Sequence, residues 1–289
     1  MTEHLREEKT FRTEDGTRLH SWYYPAHNQN DAPCVVLSHG FSAIKSMGLA
    51  QYAECFAAAG IASLVYDHRN YGQSEGEPRH ESNPWTQVHD MRDAISFAQT
   101  LSGVDAGRIG VWGTSYSGGH AIVVGAIDRR VKCVVAQVPL VSGPSTLRQW
   151  IPAALLAKMR TRFESDRLAR ANGEAPRMTT SSREGDETWE WKERVDTAGE
   201  YANETTQRSL EYFEEYEPTS FIGRIGPTPL LMIIANRDTS TPTEGQLTAY
   251  NLATEPKKLI VLDARHYDVY TDLFDQSAGA ARDWFTQHL

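Results

Sequence analysis

The sequence has little cysteine, no long apolar run and no excess of positive charge, and each shortage closes off a class of function. Its three cysteines, Cys34, Cys55 and Cys133, sit far apart in apolar stretches. An odd, scattered set does not make a disulfide framework; it suits buried thiols in a reducing compartment, here taken as cytoplasmic. No cysteine or histidine pair has metal-ligand spacing, and no GxxxxGKS/T phosphate loop occurs, so neither a metal nor a nucleotide cofactor is expected. The longest apolar runs, such as CVVAQVPLV, fall far short of the roughly 18 residues that a membrane helix needs. The first residues, MTEHLREEKTF, lack the apolar core of roughly 7–15 residues that a signal peptide carries. The net charge of −9 disfavours a general nucleic-acid binder, which needs a basic footprint. Internal repeats and low-complexity segments are also absent.

What is present is an alternation. The chain of 289 residues is ample for one large domain with an insertion. KTFRTEDGTRLHSWYYPA forms two alternating runs around Asp15-Gly16, a favoured tight-turn pair, and predicts a hairpin. Apolar strands and helical segments then take turns. CVVLSHG, IASLVYDHR, RIGVWGTS, VKCVVAQVP, PLLMIIANRD and KKLIVLDARH are strand-like. GLAQYAECFAAAG, PWTQVHDMRDAISFAQTL, YSGGHAIVVGAI, TEGQLTAYNLA and QSAGAARDWFTQH are helical, with Gly60 as a C-cap and Asn83-Pro84 as a start signal. This order predicts an α/β fold with a mainly parallel central sheet flanked by helices. Continuous apolar strands fit a sheet covered on both faces, whose chemistry sits at the carboxyl ends of strands.

One stretch breaks the alternation. Residues 142–217 carry no strand signal and predict a helical insertion, a lid or cap, between a core formed by 1–141 and 218–289. LRQWIPAALLAKMRTRFESDRLARANGE predicts one helix and TQRSLEYFEEYEP another, with a polar linker around TTSSREGDE.

The chemistry concentrates at strand ends. Gly113-Thr114-Ser115-Tyr116-Ser117 is a relaxed G-x-S-x-G, with Ser117 at the second glycine position. A nucleophile elbow needs small residues two before and two after the serine, because the strained strand-to-helix turn leaves no room there. A hydroxyl is a poor nucleophile at its free pKa, so Ser115 needs a base and the base needs an orienting carboxylate. In the order Ser, Asp, His, the candidates are Asp238 after PLLMIIAN and His266 after KLIVLDA. Asp238 could equally cap a turn, and His266 could be a surface-loop histidine; His39, His68, His89 and His120 do not fall in the required order. SHGFSA after an early strand places the Phe41 N–H beside the Tyr116 N–H as an oxyanion hole. Asp67, Arg69, Gly72 and Ser74 in YDHRNYGQSEGEPR read as a loop that braces the elbow.

SHGF, YDHRNYGQS, GTSYSGG, ANRDTSTP and RHYD resemble the α/β-hydrolase fold in kind and order. More narrowly, HGFSAIKSMGLAQYAECFAAAG, GEPRHE, RIGVWGTSYSGGHAIVVGAIDRRVKCVVAQVPLVSG, ANETTQRSLEYFEEYEP and ATEPKKL resemble the fungal polyketide transferase group and its bacterial hydrolase relatives. That resemblance covers most of the chain. It implies a Ser115–Asp238–His266 triad, an acyl-enzyme intermediate, an insertion acting as a lid, and acyl substrates that include fatty-acyl or polyketide-like thioesters. One departure stands out: the group tends to have glycines just before the histidine, where this chain has Ala264-Arg265. An arginine there is expected to narrow or charge the pocket mouth.

In the insertion, Trp150, Leu155 and Met159 are candidates for an acyl pocket, along with Ile151 and Leu156, unless the stripe only packs the lid onto the core. Lys158, Arg160, Arg162, Arg167 and Arg170 crowd one helix. They suit either an acyl carrier protein or CoA thioester, or a solvated face paired with acids. The expected partners are thus a small acyl substrate, its carrier, and a second copy of the chain as a homodimer. Two other readings stand beside the serine esterase, thioesterase or acyltransferase: a proline-specific peptidase-like hydrolase, and a non-catalytic binding protein on the same scaffold.

Overall fold

The runs that are apolar at every position form the middle of a sheet, where both faces are covered. The computed structural model describes residues 6–27 and 30–289. The chain opens with a hairpin, β1 (Glu7–Arg12) and β2 (Arg18–Tyr24), turning at Gly16 with φ +87°. Next come β3 (Ala32–Ser38), α1 (Leu49–Ala58), β4 (Ala62–Tyr66), α2 (Pro84–Ala98), β5 (Val104–Thr114), α3 (Tyr116–Ile127) and β6 (Val131–Gln137). The insertion contributes α4 (Gly143–Trp150), α5 (Ala153–Ala171), β7 (Met178–Thr179), α6 (Glu187–Val195), β8 (Thr205–Thr206) and α7 (Gln207–Glu215). The core resumes with α8 (Thr219–Ile222), β9 (Leu230–Ala235), α9 (Thr243–Leu252), β10 (Lys257–Leu262) and α10 (Phe274–His288).

Eight strands form one sheet in the order β1-β2-β4-β3-β5-β6-β9-β10. The hairpin and the β2–β4 pair are antiparallel, and every other pair is parallel. Neighbouring residues of one strand enter opposite cores. Val36, Val111, Val134 and Met232 pack against α2, α3 and α9; Val35, Trp112, Val135 and Ile233 pack against α1 and α10. That two-sided burial explains the unbroken apolar runs.

The strand order reverses between β3 and β5. β4 lies on one side of β3, and β5 with all later strands lies on the other. The loops after β3 and β5 therefore diverge from adjacent strand ends and leave a crevice, where ligands of open parallel sheets bind. Those loops carry Gly40-Phe41 and Ser115.

The helix signals match their elements. Asn83 caps α2 by accepting from the N–H groups of Trp85 and Thr86, with Pro84 at the first helical position. Gly60 follows α1 with φ +82°. The loop after β4 is fastened as a brace. Asp67 accepts from the Lys45 backbone N–H at 2.8 Å, Lys45 Nζ at 2.6 Å and the Gln73 N–H at 3.0 Å. Arg69 forks onto Asp90 of α2 and reaches Asp15 of the hairpin turn.

The insertion leaves and returns at one point. Ser142 donates to Glu217 at 2.7 Å, and the Gly143 N–H donates to the Tyr216 carbonyl. Its interior differs from the sequence expectation in three ways. The stretch from Leu147 that was expected as one helix breaks at Ile151-Pro152 into α4 and α5, because proline cannot continue the helix before it. A two-residue antiparallel ladder joins β7 to β8 where no strand was expected, and the polar linker region contains α6. Asp186 caps α6 by accepting from the Trp189 N–H.

Candidate active site

The elbow is built from steric exclusion. Ser115 adopts φ 55° and ψ −120° between β5 and α3, a region that non-glycine residues rarely occupy. Gly113 is obligatory beneath it, since a Cβ there would lie 1.9 Å from the Ser117 carbonyl oxygen. A Cβ on Gly40 would come 3.1 Å from Ser115 Cβ, so the β3 loop also lies against the serine.

The structure brings the three sequence candidates into one line. Ser115 Oγ lies 3.1 Å from His266 Nε2, and His266 Nδ1 lies 2.8 Å from Asp238 Oδ2. The carboxylate fixes the tautomer: Nδ1 carries the hydrogen, and Nε2 is left to accept from the Ser115 hydroxyl. Asp238 is not a simple turn cap, although it also caps. Its Oδ1 accepts from the Ser240 and Thr241 N–H groups, at 2.9 and 2.7 Å. Its Oδ2 additionally receives Thr241 Oγ1–H at 2.8 Å and Gln246 Nε2–H at 3.2 Å. Both His266 and Asp238 are buried. Thr241 and Gln246 carry no motif; the turn after β9 and the start of α9 bring them to the carboxylate.

Phe41 and Tyr116, which carry the two candidate oxyanion donors, line the same cavity as Ser115. Tyr116 opens α3, so its N–H has no partner within the helix, and the helix dipole favours negative charge there. No hydrogen bond joins the Phe41 N–H to another described residue.

The rival histidines are occupied or remote. His39 Nδ1 donates to the Gly40 carbonyl and Nε2 accepts from the His68 N–H; burial pushes this ring down to about 4. His68 Nε2–H donates to Ser117 Oγ, whose own hydrogen goes to the His39 carbonyl. Ser117 is thus more than a small residue that the elbow tolerates: it ties the β3 loop to the β4 loop. His120 lies between Tyr216 and Gln87 with its pKa pushed down to about 3 by burial. His89 is exposed on α2. The cysteines are free, and burial pushes the Cys34 thiol up to about 12.

Ser115 lines a cavity of about 130 Å³ between the sheet end and the insertion. That is roughly ten times the 10–15 Å³ one water needs. Aromatic rings form part of its wall. Phe41 meets Tyr116 and Phe213 edge-on at 5.2 and 5.6 Å, and Phe213 stacks on Tyr116. Trp150 is part of this wall and donates its indole N–H to the Thr239 carbonyl at 2.9 Å, next to Asp238.

Leu155 and Met159 do not line this cavity, contrary to the sequence expectation. α5 turns Leu156, Phe163 and Ala169 inward, which leaves Leu155 53% exposed one position earlier, while Met159 packs against the core. The basic face of the same helix is partly neutralised: Arg160 pairs with Glu214, Arg167 with Glu211 and Arg170 with Asp166.

Most of the chain matches known proteins. The family model described as X-Pro dipeptidyl-peptidase (S15 family) matches residues 15–268. The chain belongs to this S15 family. A thiohydrolase of Eupenicillium brefeldianum is 32% identical over 91% of this chain and 88% of its own length. The polyketide transferase claH of Penicillium crustosum is 28% identical, covering 91% of each chain. The crystal structure of the α/β-hydrolase GrgF from Penicillium sp. sh18 superposes with a TM-score of 0.85 at 26% identity, covering 98% of this chain and 99% of that one. This S15-family chain is therefore a hydrolase- or transferase-type enzyme of the α/β-hydrolase fold.

In this family member, Arg265 does not enter the pocket. Its guanidinium pairs with Asp268 at 3.2 Å and reaches Glu190 of α6 at 3.9 Å. The residue after the histidine also meets α6. Tyr267 stacks on Trp191 at 4.9 Å, and its hydroxyl lies 2.7 Å from Thr188 Oγ1. Sequence reasoning did not find α6, because a short polar segment carries little apolar periodicity.

Proposed function

We propose that the chain is a serine hydrolase or acyltransferase that cleaves an ester or thioester of a fatty-acyl or polyketide-like substrate. The observation that carries this reading is the unbroken relay from Asp238 through His266 to a strained Ser115 on the wall of an apolar cavity. Ser115 Oγ attacks the carbonyl carbon while His266 Nε2 accepts its proton. Asp238 holds the imidazolium that forms. The Phe41 and Tyr116 N–H groups receive the negative charge on the carbonyl oxygen. The C–S or C–O bond then breaks, and His266 returns the proton to the leaving thiol or alcohol. Water or another nucleophile, deprotonated by His266, attacks the Ser115 ester; the acyl group leaves with it, and His266 gives the proton to Ser115 Oγ.

The alternative, a proline-specific peptidase of the X-Pro dipeptidyl-peptidase kind, requires recognition of a free amino terminus two residues from the scissile bond. No aspartate or glutamate is among the lining residues to pair with such a cation. The thiohydrolase and polyketide transferase names of the relatives support the acyl thioester instead. A binding protein without catalysis has no need of a strained serine aligned with a base. The carrier proposed for the acyl group is CoA or an acyl carrier protein. The ion pairs along α5 leave less positive surface for an acidic carrier than its sequence suggests.

The test is a series of acyl esters and acyl thioesters of increasing chain length, assayed with the wild type and Ser115→Ala. The expected result is turnover by the wild type and a fall in kcat of at least about 10³-fold in the variant. Equal turnover by both would reject the assignment.

A further inference from the structure

Among the residues lining the cavity, Lys192 is the only one that carries formal charge near neutral pH. His39, also on the wall, is held neutral by burial. Lys192 sits in the last turn of α6 and shares that turn with Arg194, but the two differ. Arg194 faces outward and pairs with Asp272 at 3.0 Å. Lys192 lines the cavity. Its Nζ lies 3.5 Å from the centre of the Trp189 ring and 5.7 Å from that of Tyr201. Aromatic faces hold an ammonium in place without neutralising it. No carboxylate among the described residues lies within ion-pair distance of it. The surrounding wall offers hydroxyls, from Ser42, Ser181, Thr188 and Tyr201, and aromatic rings, from Trp191 and Phe213. Hydroxyls can add hydrogen bonds to an anion but cannot balance the charge. A cation on the wall of an otherwise uncharged cavity is complementary to a ligand that brings the missing negative charge.

We infer that Lys192 is a specificity-determining residue that recognises an anionic group, a carboxylate or a phosphate, on the substrate whose ester or thioester reaches Ser115. The inference rests on the serine acyl-transfer reading above and narrows its substrate class. It also separates this chain further from an enzyme that selects a free amino terminus, which Lys192 would repel. The anion has two chemical sources: a carboxylate at the far end of the acyl chain, or the phosphates of a CoA or phosphopantetheine arm.

The experiment uses two substrate pairs. The first compares an ω-carboxyacyl thioester of N-acetylcysteamine with its ω-methyl ester. The second compares one neutral acyl group on CoA with the same group on N-acetylcysteamine. Each is assayed with the wild type, Lys192→Met and Lys192→Glu, and the readout is the ratio of kcat/KM within a pair. The expected wild-type preference for the anionic member of one pair is about ten- to hundredfold, the range of a charge-assisted hydrogen bond. Lys192→Met collapses that ratio toward one, and Lys192→Glu inverts it. The pair that responds identifies the source of the anion. Unchanged ratios in both variants, with Ser115-dependent turnover of the neutral thioesters intact, would overturn this inference and leave the serine mechanism standing. No Ser115-dependent turnover of any of the four substrates would overturn both.

Discussion

At the scale of the residue, Ser115, Asp238 and His266 were legible because each stands just past an apolar strand, and parallel sheets gather such ends. Their supporting partners were not. Thr241 and Gln246 owe their positions to a turn and to tertiary approach, which leave no periodicity. Ser117 shows the limit of motif reading most clearly. The motif asks only that it be small, whereas its hydroxyl joins the His39 carbonyl to the His68 ring. Ser117→Gly, which restores the strict motif, is therefore expected to destabilise the protein. It leaves two buried polar groups unpaired at about 1–3 kcal/mol each, and thermal unfolding reads the loss. In the proposed mechanism Asp238→Asn keeps the shape of the site but weakens the hold on the Nδ1–H tautomer. kcat is expected to fall about 10³–10⁴-fold with little change in KM, measured by steady-state kinetics on a responsive thioester.

At the scale of the element, the core strands and helices could be read from alternation, caps and apolar runs. The insertion could be read only in part. α5 and α7 carry apolar stripes, but the stripe of α5 packs inward; of the expected pocket residues Trp150 lines the cavity, where Trp191 and Phe213 join it. α6 is the element that meets the loop around His266 on both sides, through Glu190 to Arg265 and through Thr188 and Trp191 to Tyr267. Trp191→Ala is expected to loosen this contact, lower stability by about 3 kcal/mol and raise KM for acyl substrates. Trp191→Phe, which keeps a ring against Tyr267, is expected to recover most of both. Denaturant melts and Michaelis curves on the two variants check this.

At the scale of the whole molecule, the two cores on either face of the sheet account for the fold, and a cluster of buried histidines sets its response to acid. His39, His68 and His120 are fully buried and pack ring to ring, 39 against 68 at 4.5 Å and 68 against 120 at 5.7 Å. Burial depresses all three, His39 to about 4 and His120 to about 3. An unfolded histidine titrates near 6.5, so between these values the unfolded chain binds more protons than the folded one. Stability is thus complete above about pH 6.5 and falls as the pH drops toward 4. At pH 5 the loss is about 2 kcal/mol each for His39 and His120, and His68 adds to it in the same direction. Asp90, raised to about 6 by burial, binds its proton early in the folded state and offsets part of that loss. Urea unfolding at pH 7.5 and pH 5 should show a lower midpoint at pH 5. An equal or higher one would contradict the neutral buried cluster.

The central claim is that Ser115 is a nucleophile activated by His266. The most direct measurement is covalent labelling with a fluorophosphonate, followed by intact mass and peptide mapping of the wild type, Ser115→Ala and His266→Ala. The account predicts one adduct per wild-type chain, on Ser115, none on Ser115→Ala and severely slowed labelling of His266→Ala. An unlabelled wild type, or an adduct that persists at another residue in Ser115→Ala, would contradict it.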